Sequence, residues 1–441
     1  MVSERPGRGG FVGYFEWFVR SEVTGSVLLL ACTVTALVVA NSPWSAAYDD
    51  LLHTYIGVGW GDNVFKLSLH HWINDGLMVV FFFVVGLEVK RELVVGELSS
   101  FDKAALPVAA AVGGMVVPAL LFVVFNAGEP SAAGWGIPMA TDIAFALGVL
   151  AIFGRRVPIG LKVFLTALAI ADDLGAVAVI ALFYTEQING GALAVAAIFL
   201  AILFPVVRLR KKRRGVVLAV MVVVWLAVFA SGVHATIAGI LLAMVIPVRP
   251  KLNVGDFVTE AEAYLEKAKH RWQSGSCIIT DSEQLHTVEV VHGRAGDTLP
   301  AGLMLEHTLH PVQVWLILPL FALANAGVAL GGNVLEVLTT PLALGIIVGL
   351  VIGKPVGIGL LSWLVVRSGK GMLPAGVNRG QVVGAGCLAG IGFTMSLFIS
   401  ELAFSDPTLI NAAKIGILFA SLTSAVLGFV ILSRALPKTD G

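Results

Sequence analysis

Charged residues are scarce in this chain. Asp, Glu, Lys and Arg together make up 13% of its 441 residues, whereas hydrophobic residues make up 57%. A water-soluble domain normally carries about 25% charged residues. The composition therefore excludes an ordinary soluble core and favours a protein that lies in a lipid bilayer. The formal net charge is zero, which gives no indication of nucleic-acid binding.

Cysteine is also scarce, and a signal-peptide pattern is missing. Cys32, Cys277 and Cys387 are odd in number and fall in predicted spans or in a predicted cytoplasmic loop, so no disulfide framework is expected. Basic residues precede the first apolar run, at 23–40, but no small-residue cleavage site follows it. We expect this run to be kept as a membrane span and not removed as a signal peptide.

Long apolar runs are what the sequence does contain. Runs of about 20 apolar residues have the length that a helix needs to cross a bilayer. They do not alternate between polar and apolar residues, as the strands of an outer-membrane barrel would. Twelve runs are predicted to be spans, at 23–40, 72–88, 104–125, 136–153, 158–184, 191–207, 215–231, 233–247, 312–330, 341–366, 381–403 and 409–433.

Lysine and arginine are concentrated in every second loop, as expected of short cytoplasmic loops. The loops "NAGEPSAAGWG", "TEQINGG" and "GGNVLEVLTT" contain neither, and 41–71 contains only Lys66. The distribution predicts a multi-pass protein with both termini in the cytoplasm, and it makes "RLRKKRR" a topology anchor at anionic headgroups. The basic residues that precede span 1 or follow an even-numbered span are Arg5, Arg8, Arg20, Lys90, Arg91, Lys103, Arg155, Arg156, those of 208–214 and of 251–294, Arg367, Lys370, Arg379, Arg434 and Lys438.

One segment departs from membrane composition and divides the chain into 1–248, 249–306 and 307–441. Its first part, "DFVTEAEAYLEKAKHRW", predicts an amphipathic helix of good helix formers. Its second part, "CIITDSEQLHTVEVVHGRAGDTLP", predicts short strands and a turn. Two interpretations stay open for this cytoplasmic segment: a tolerated insertion, or a regulatory or partner-docking element.

Four ionisable residues lie at mid-depth of the predicted spans: Asp142, Asp172, Asp173 and Lys354. The adjacent pair falls in "FLTALAIADDLGAVAVIALFYT", and a carboxylate at the centre of a membrane helix costs on the order of 3 kcal/mol. A structural Asp–Lys pair remains a possible interpretation. However, three acids against one base leave surplus negative charge that needs a cation or a proton, and this favours cation handling.

Helix geometry gives the two adjacent acids different partners. Neighbouring residues on a helix point about 100° apart, so Asp172 and Asp173 cannot aim at one spot. Small residues flank them, including Ala169 and Ala176, and permit close approach of another helix. We therefore expect one acid to meet a cation and the other to meet Lys354.

Two spans carry glycine and proline ahead of a polar residue. In "GWGIPMATDIAFALG" Gly136 and Pro138 precede Asp142, and in "GAGCLAGIGFTMSLF" Gly390 and Gly392 precede Thr394. These spans occupy the middle of two three-span groups, spans 3–5 and 10–12, which have opposite topology. Paired interrupted helices in inverted repeats mark the midplane site of a transporter. The sequence thus predicts an all-α fold of 12 spans in which Asp142 and Lys354 neutralise opposite half-helix ends.

Several motifs in order along the chain carry a family resemblance: "FFFVVGLEVKREL", "PMATDIAFALGVLAIFG", "LAIADDLGAVAVIALFYT", "SGVHATIAGI", "LEHTLHPVQVWLILPLFALANAGV", "GLVIGKPVGI" and "GIGFTMSLFI". With them the sequence resembles the NhaA family of sodium/proton antiporters over most of its length outside 249–303. The resemblance implies electrogenic, pH-regulated exchange of cytoplasmic sodium or lithium for external protons. It implies no cofactor, and a place in the plasma membrane of a bacterium.

The resemblance also implies roles for individual residues. Asp173 corresponds to the principal carrier of the cation and the proton, and Asp172 to the acid that pairs with Lys354, so that Na⁺ binds at Asp172 and Asp173. Thr141 is an expected oxygen ligand, and Asp142 an expected charge compensator. The residues implied in the pH response are Glu88, Arg91, Glu92, His234, Glu306, His307 and His310.

The external loop 41–71 corresponds to one that supports a homodimer through a hairpin in some family members. The loop is long enough for a hairpin, but its sequence does not lead us to predict one. His70 and His71, at the end of this loop, are expected to pack at the membrane interface and not to bind a metal.

Two rival classes of function share some of these sequence features. An intramembrane aspartyl protease also needs buried acids, and "GWGD" at 59–62 fits its motif, but Asp62 lies in an external loop and adjacent acids on one helix cannot form a dyad between two helices. No enzyme and no catalytic residue is therefore predicted. The alternative is a sodium-coupled solute symporter or a passive cation pathway of the same architecture, although few further polar residues are available to recognise a solute.

Overall fold

The computed structural model describes residues 22–60, 63–185, 188–208, 214–271, 282–331 and 333–437, which are mostly helical. Several residues of the sequence predictions lie outside these ranges: Arg5, Arg8, Arg20, Asp62, 209–213, Cys277 and Lys438. The helices are α1 (Glu22–Ala40), α2 (Ser45–His53), α3 (Leu69–Val94), α4 (Phe101–Asn126), α5 (Ile143–Ile152), α6 (Ile159–Phe183), α7 (Gly190–Arg208), α8 (Arg214–Ala230), α9 (Thr236–Val245), α10 (Val254–Arg271), α11 (Ser282–Thr298), α12 (Ala301–Asn325), α13 (Val334–Leu338), α14 (Pro341–Arg367), α15 (Arg379–Ala389), α16 (Phe393–Ala403) and α17 (Pro407–Ala435).

The predicted spans all have apolar helical counterparts. Within the described ranges, eight helices are long and apolar enough to cross a membrane: α1, α3, α4, α6, α7, α12, α14 and α17. Two bent helix pairs pass the same test when each pair is taken as one span. The predicted spans 215–231 and 233–247 correspond to shorter apolar helices, Gly215–Ala230 and Thr236–Val245. The chain is therefore a polytopic, all-α membrane protein, as predicted.

Both predicted interruptions are real breaks. A 3₁₀ helix, Pro130–Met139, precedes α5 with a bend of 43°, and α15 precedes α16 with a bend of 45°. The first pair lies between α4 and α6 in the chain, and the second lies between α14 and α17. The two three-helix groups meet along α4 and α14, where Gly113 and Gly357 approach so closely that a Cβ on either would strike the carbonyl of the other. This contact brings the two groups, and with them the two breaks, together.

Helix α14 contains a π-helical turn, Gly349–Gly353, that the sequence analysis did not predict. The N–H of Lys354 donates to the carbonyl of Gly349, five residues back. The next residue, Pro355, has no N–H to continue the ordinary ladder. The wider turn inserts one extra residue immediately before Lys354 and changes the direction in which its side chain points.

The loop 41–71 contains a β-hairpin, which its sequence did not lead us to predict. Strands β1 (Tyr55–Trp60) and β2 (Asn63–Ser68) pair antiparallel, with Tyr55 opposite Ser68. The ring of Phe65 packs edge-on against Trp72, Trp225 and Phe229. The indole N–H of Trp72 donates to the carbonyl of Ile56 at 3.0 Å, so the hairpin is fixed to the membrane-spanning helices.

Where the structure describes the polar segment, it is helical, so the strands predicted within 282–298 are wrong. The start of the second part, 277–281, lies outside the described residues. The first helix of the segment, α10, agrees with the prediction, whereas "SEQLHTVEVVHGRAGDT" is also helical and forms α11. Arg294 pairs with Glu260 across the two helices at 3.0 Å. Because the Val-rich stretch finds a helical partner in α10, tertiary packing overrides its preference for strand.

Candidate ion-binding site

Asp142 stands where the two broken helices cross. It is the N-cap of α5, and its carboxylate accepts a hydrogen bond from the N–H of Phe145 at 3.1 Å. The same carboxylate accepts from Thr394, near the start of α16, through the backbone N–H at 3.1 Å and the hydroxyl at 2.5 Å. Helix N-termini carry partial positive charge, so one buried carboxylate compensates two half-helices at once.

Two serines hold the crossing together, and neither was singled out from the sequence. The hydroxyl of Ser396 donates to the carbonyl of Ile137 at 2.8 Å, which joins α16 to the 3₁₀ helix. The hydroxyl of Ser421 on α17 accepts from the N–H of Phe393 at 3.2 Å. A signal was available for the second, because Ser421 and Ser424 lie three apart on a long apolar helix.

The predicted glycines and proline lie in tight contacts at the breaks. A Cβ on Gly390 would strike the carbonyl of Leu350, and one on Gly392 would strike the Ser396 hydroxyl. Pro138 lies against Gly349 on α14. The N–H of Gly136 donates to the hydroxyl of Tyr184 at 3.2 Å. These residues let backbones approach closely around the site.

Lys354 is completely buried and donates two hydrogen bonds. Its ammonium lies 2.5 Å from Oδ2 of Asp172 and 2.7 Å from the hydroxyl of Thr141. That hydroxyl in turn donates to the carbonyl of Ala389, the last residue of α15, at 2.9 Å. Lys354 therefore contacts a carboxylate directly and reaches a half-helix end through Thr141.

Asp173 is placed differently from its neighbour. It is 4% exposed, and among the described residues no hydrogen bond or ion pair to it is found. The second oxygen of Asp172, Oδ1, is also buried without a partner. An isolated buried carboxylate is costly unless it is protonated or binds a cation. In the described ranges no three His, Cys, Asp or Glu residues come close enough to hold one metal ion, so a cation here would need oxygens from hydroxyls, carbonyls or water as well.

Several predicted pH-response residues come together at one end of the bundle. Arg91 pairs with Glu92 at 2.8 Å and with Glu306 on α12 at 3.2 Å. Glu92 also accepts from the N–H of Glu97 at 2.9 Å. Glu88 lies one turn earlier on α3. We call Arg91, Glu92 and Glu306 the acidic cluster.

The histidines predicted with these groups are placed less favourably. His307 and His310 are exposed on α12. His234 lies between α8 and α9, with its ring beside that of Phe398 and its Nδ1 buried without a partner. Within the described residues, the ion pairs of Arg91 are with the carboxylates of Glu92 and Glu306.

A further buried polar group was not predicted. Asn325 donates to Asn74 at 2.8 Å, and its side-chain oxygen lies 3.1 Å from Nε2 of His70. Lys414, which is buried, pairs with Glu401 at 2.7 Å. His70 thus takes part in a hydrogen-bond network, which the prediction of simple interface packing did not include.

Membrane-length helices, with two broken helices that cross beside buried carboxylates, are typical of a secondary transporter. The sequence matches the family described as Na+/H+ antiporter 1 over residues 16–432. The chain belongs to this family, as the motifs predicted.

Relatives cover nearly the whole chain. The chain is 47% identical over 421 residues to the Na(+)/H(+) antiporter NhaA of Oleidesulfovibrio alaskensis, covering 95% of this chain and 93% of that protein. It is 47% identical to that of an Escherichia coli strain, covering 93% and 96%, and 44% identical to that of Wolinella succinogenes, covering 97% and 94%. The sodium proton antiporter MjNhaP1 of Methanocaldococcus jannaschii aligns at TM-score 0.48 and 13% identity over 97% of this chain and 99% of that one.

Proposed function

We propose that this protein exchanges cytoplasmic sodium or lithium for external protons and that Asp173 is the group that carries either ion. The observation that supports this assignment is the asymmetry of the acid pair. Lys354 neutralises Asp172, whereas Asp173 lies beside it with no hydrogen-bond partner among the described residues. The family membership and the names of the relatives support the same exchange. The transported ions are the substrates, and no cofactor is needed.

Protons and sodium compete for the same oxygens. With Asp173 protonated, the buried site carries only the Asp172–Lys354 pair and the capped Asp142. Loss of the proton leaves a carboxylate that sodium can neutralise, with further oxygens from Asp172 and the Thr141 hydroxyl. Because Lys354 contacts both of these groups, sodium at the pair displaces the ammonium, which then gives up its own proton. Two protons per sodium make the exchange electrogenic, and the inward proton gradient drives sodium out.

The acidic cluster is proposed to set the pH response. Arg91 connects α3 to α12 through Glu306, so a change of charge there alters the packing of two spans. Glu88 lies on α3 one turn before Glu92, on the side of the acidic cluster that leads into the span. We assign Glu88 and the acidic cluster to pH sensing, and His234, His307 and His310 to a secondary part.

The proposed location is the plasma membrane of a bacterium, with both termini and the acidic cluster in the cytoplasm. The concentration of Lys and Arg in alternate loops supports this orientation. The hairpin β1–β2 is then external. Each of its strands has one edge that the other strand does not pair, and such edges can pair with another chain. We propose that the hairpin joins two copies in a homodimer.

The exchange is tested in inside-out vesicles energised to an acidic interior, with a pH dye reporting proton release when sodium is added. The wild type is compared with Asp173→Asn and Asp172→Asn, with Asp406→Asn as the control, because Asp406 is an exposed acid at the start of α17. We expect the wild type and the control to release protons and Asp173→Asn to release none. Sodium-dependent thermal stabilisation of the purified protein, with potassium for comparison, separates loss of binding from loss of transport.

A contrary result is equally clear. If inserted, folded wild type shows no sodium-dependent proton release from neutral to alkaline pH, the exchange proposal is wrong, and uptake of organic solutes with sodium becomes the next assay. If Asp173→Asn still exchanges at the wild-type rate, exchange stands and the assignment of the carrier is wrong.

A further inference from the structure

A crevice lies between α14 and α15, on the part of α14 that follows Lys354 and close to the loop that joins the two helices. Its volume is about 190 Å³. Gly359, Ser362, Trp363 and Val366 line it from α14, and Arg379 and Val382 line it from α15. The α14 residues are spaced by three or four, so they share one helix face. That face borders the crevice.

The crevice has the shape and position of a slot for a hydrocarbon chain. From Gly359 to Arg367 the helix rises by about 12 Å, which leads from the helix end into the apolar part of the span. Trp363 is 40% exposed, and Val383 on the opposite wall is 41% exposed, so the slot opens on the outer face of the bundle. A Cβ added at Gly359 would meet no atom within 4 Å, which leaves open space at the inner end.

The outer end of the crevice is positively charged. Arg379 lines it, and the guanidinium of Arg367 lies 5.2 Å from the ring centre of Trp363. The sequence has no Asp or Glu from 337 to 400, and in the described part of the chain no salt bridge involves Arg367 or Arg379. Arg379 is also the first residue of α15, where a positive charge opposes the helix dipole. An anion at this end would compensate both arginines.

A buried polar atom along the slot lacks a partner. Ser362 is 3% exposed, and its hydroxyl makes no hydrogen bond although its residue lines the crevice. Buried hydroxyls are nearly always hydrogen-bonded, because an unpaired one loses its interaction with water and gains nothing in return. Ser362 lies between the apolar inner end and the charged outer end. An ester carbonyl of a lipid would lie at this level.

We propose that the crevice binds one anionic glycerophospholipid. An acyl chain lies along α14 towards Gly359, an ester carbonyl accepts from Ser362, and the phosphate lies between Arg367 and Arg379. Charge decides between occupants: a second copy of this apolar helix face would bring no anion, whereas an anionic lipid supplies both the chain and the charge. The inference concerns a site separate from Asp173 and does not depend on the exchange of sodium.

The test is native mass spectrometry of the full-length, delipidated protein in detergent, titrated with phosphatidylglycerol and with phosphatidylcholine of the same chains. Inorganic phosphate is added as a competitor to distinguish a lipid site from a simple anion site. Gly359→Leu fills the slot without striking the fold, and Arg367→Gln with Arg379→Gln removes its charge. The matched controls are Gly293→Leu, another open helical position, and Arg155→Gln, an exposed arginine in a basic loop.

We expect Gly359→Leu to hold one tightly bound phosphatidylglycerol fewer than the wild type. Each arginine should favour the anionic lipid by about fivefold, so the double variant should lose most of the preference over phosphatidylcholine. The controls should bind as the wild type does, and phosphate should not compete. If Gly359→Leu fails to fold, Val383→Trp fills the crevice from the opposite wall and takes its place in the comparison.

Three results would overturn the proposal. They are an unchanged lipid count when the slot is filled, an unchanged preference without the two arginines, and displacement by inorganic phosphate alone. The last would make the outer end an adventitious anion site. The remaining lipid contacts of the protein do not affect these outcomes, because each comparison is between variants that share them.

Discussion

Asp172 and Asp173 are neighbours on one helix, yet the buried ammonium of Lys354 contacts only Asp172. Under the proposed function, Asp172 holds the charge of Lys354 inside the bilayer, and Asp173 is the carboxylate that takes a proton or a cation. This division follows from the 100° between successive helical positions and does not require different residue types.

The Asp172–Lys354 pair should be strongly coupled in stability. Lys354→Met leaves a buried carboxylate unpaired and should lower the free energy of unfolding by about 3–5 kcal/mol, whereas the double variant Asp172→Asn with Lys354→Met should lose far less than the sum of the single changes. Denaturant unfolding in detergent measures the cycle. Lys103→Met is the control, because Lys103 and Glu97 form an exposed pair at 4.0 Å that should contribute about 0–1 kcal/mol. Additive single losses would contradict the pairing.

The shared cap at the crossing should be worth more than an ordinary helix cap. Asp142→Ala removes the acceptor of the buried N–H groups of Phe145 and Thr394, and each unsatisfied donor should cost about 1–3 kcal/mol. Thr394→Val should lower the free energy of unfolding by about 1 kcal/mol, because only the hydroxyl is lost. Thr394→Ser keeps the hydroxyl and should therefore keep this stability. Thermal unfolding measures both. Equal effects of Thr394→Val and Thr394→Ser would show that the hydroxyl contributes nothing.

Asp406 is an exposed helix cap, in contrast to the buried cap Asp142, and its contribution to stability should depend on pH. Hydrogen bonds from Thr408 lower the pKa of Asp406 below its ordinary value. A lowered pKa in the folded state means that the stabilisation is present above the ordinary pKa and is lost as the pH falls through the lowered one. Asp406→Ala should therefore differ from the wild type at neutral pH and converge with it in acid. A difference that persisted below the lowered pKa would contradict the cap.

The acidic cluster should control the pH profile of exchange more than the histidines do. Glu306→Gln removes one of the two carboxylates that share Arg91, so the pH of half-maximal exchange should move. His307→Gln, one residue along and exposed, should leave it nearly unchanged. The vesicle assay over a pH series measures both. If only His307→Gln shifted the pH of half-maximal exchange, the pH sensor would be the histidine and not the carboxylates.

The β1–β2 hairpin should be required for association of two copies and dispensable for exchange. Replacing 56–67 by a short Gly-Ser linker removes both strands while Tyr55 and Ser68 remain to be joined. The molar mass of the purified protein, measured by light scattering, should fall from that of a dimer to that of a monomer. Proton release in vesicles should persist. A dimer that survives the deletion would place the contact elsewhere. Replacement of Tyr55 by Ala alone is the milder control, because its exposed side chain leaves strand pairing intact.

The sequence predicted the features that depend on composition and on local breaks. Asp142 and Thr394 were visible because polar residues that follow Gly and Pro in an apolar span have few structural explanations. The hairpin was missed because Gly57 and Gly59 weaken the strand pattern, although the dipeptide Gly61-Asp62 between two strand-like runs is itself a hairpin signal. Helix α11 was missed because "TVEVV" favours a strand until α10 supplies a helical partner.

Other features could not be predicted from the chain alone. The wider turn before Lys354 changes its direction, so an ordinary helical wheel places its side chain wrongly. Hence the choice between Asp172 and Asp173 as its partner needed either the three-dimensional structure or the family resemblance. Ser396 is an ordinary serine in sequence, and only the crossing gives it a partner.

The double cap of Asp142 has a consequence for motion. One carboxylate caps two half-helices, so it ties them together. Sliding one half-helix away from the other would break the hydrogen bonds of Asp142 to Thr394 or to Phe145, and the bilayer interior offers no water to replace them. The crossing must then travel as one piece. Any relative motion of the crossing should therefore be taken up by the segments that connect the broken helices to their neighbours.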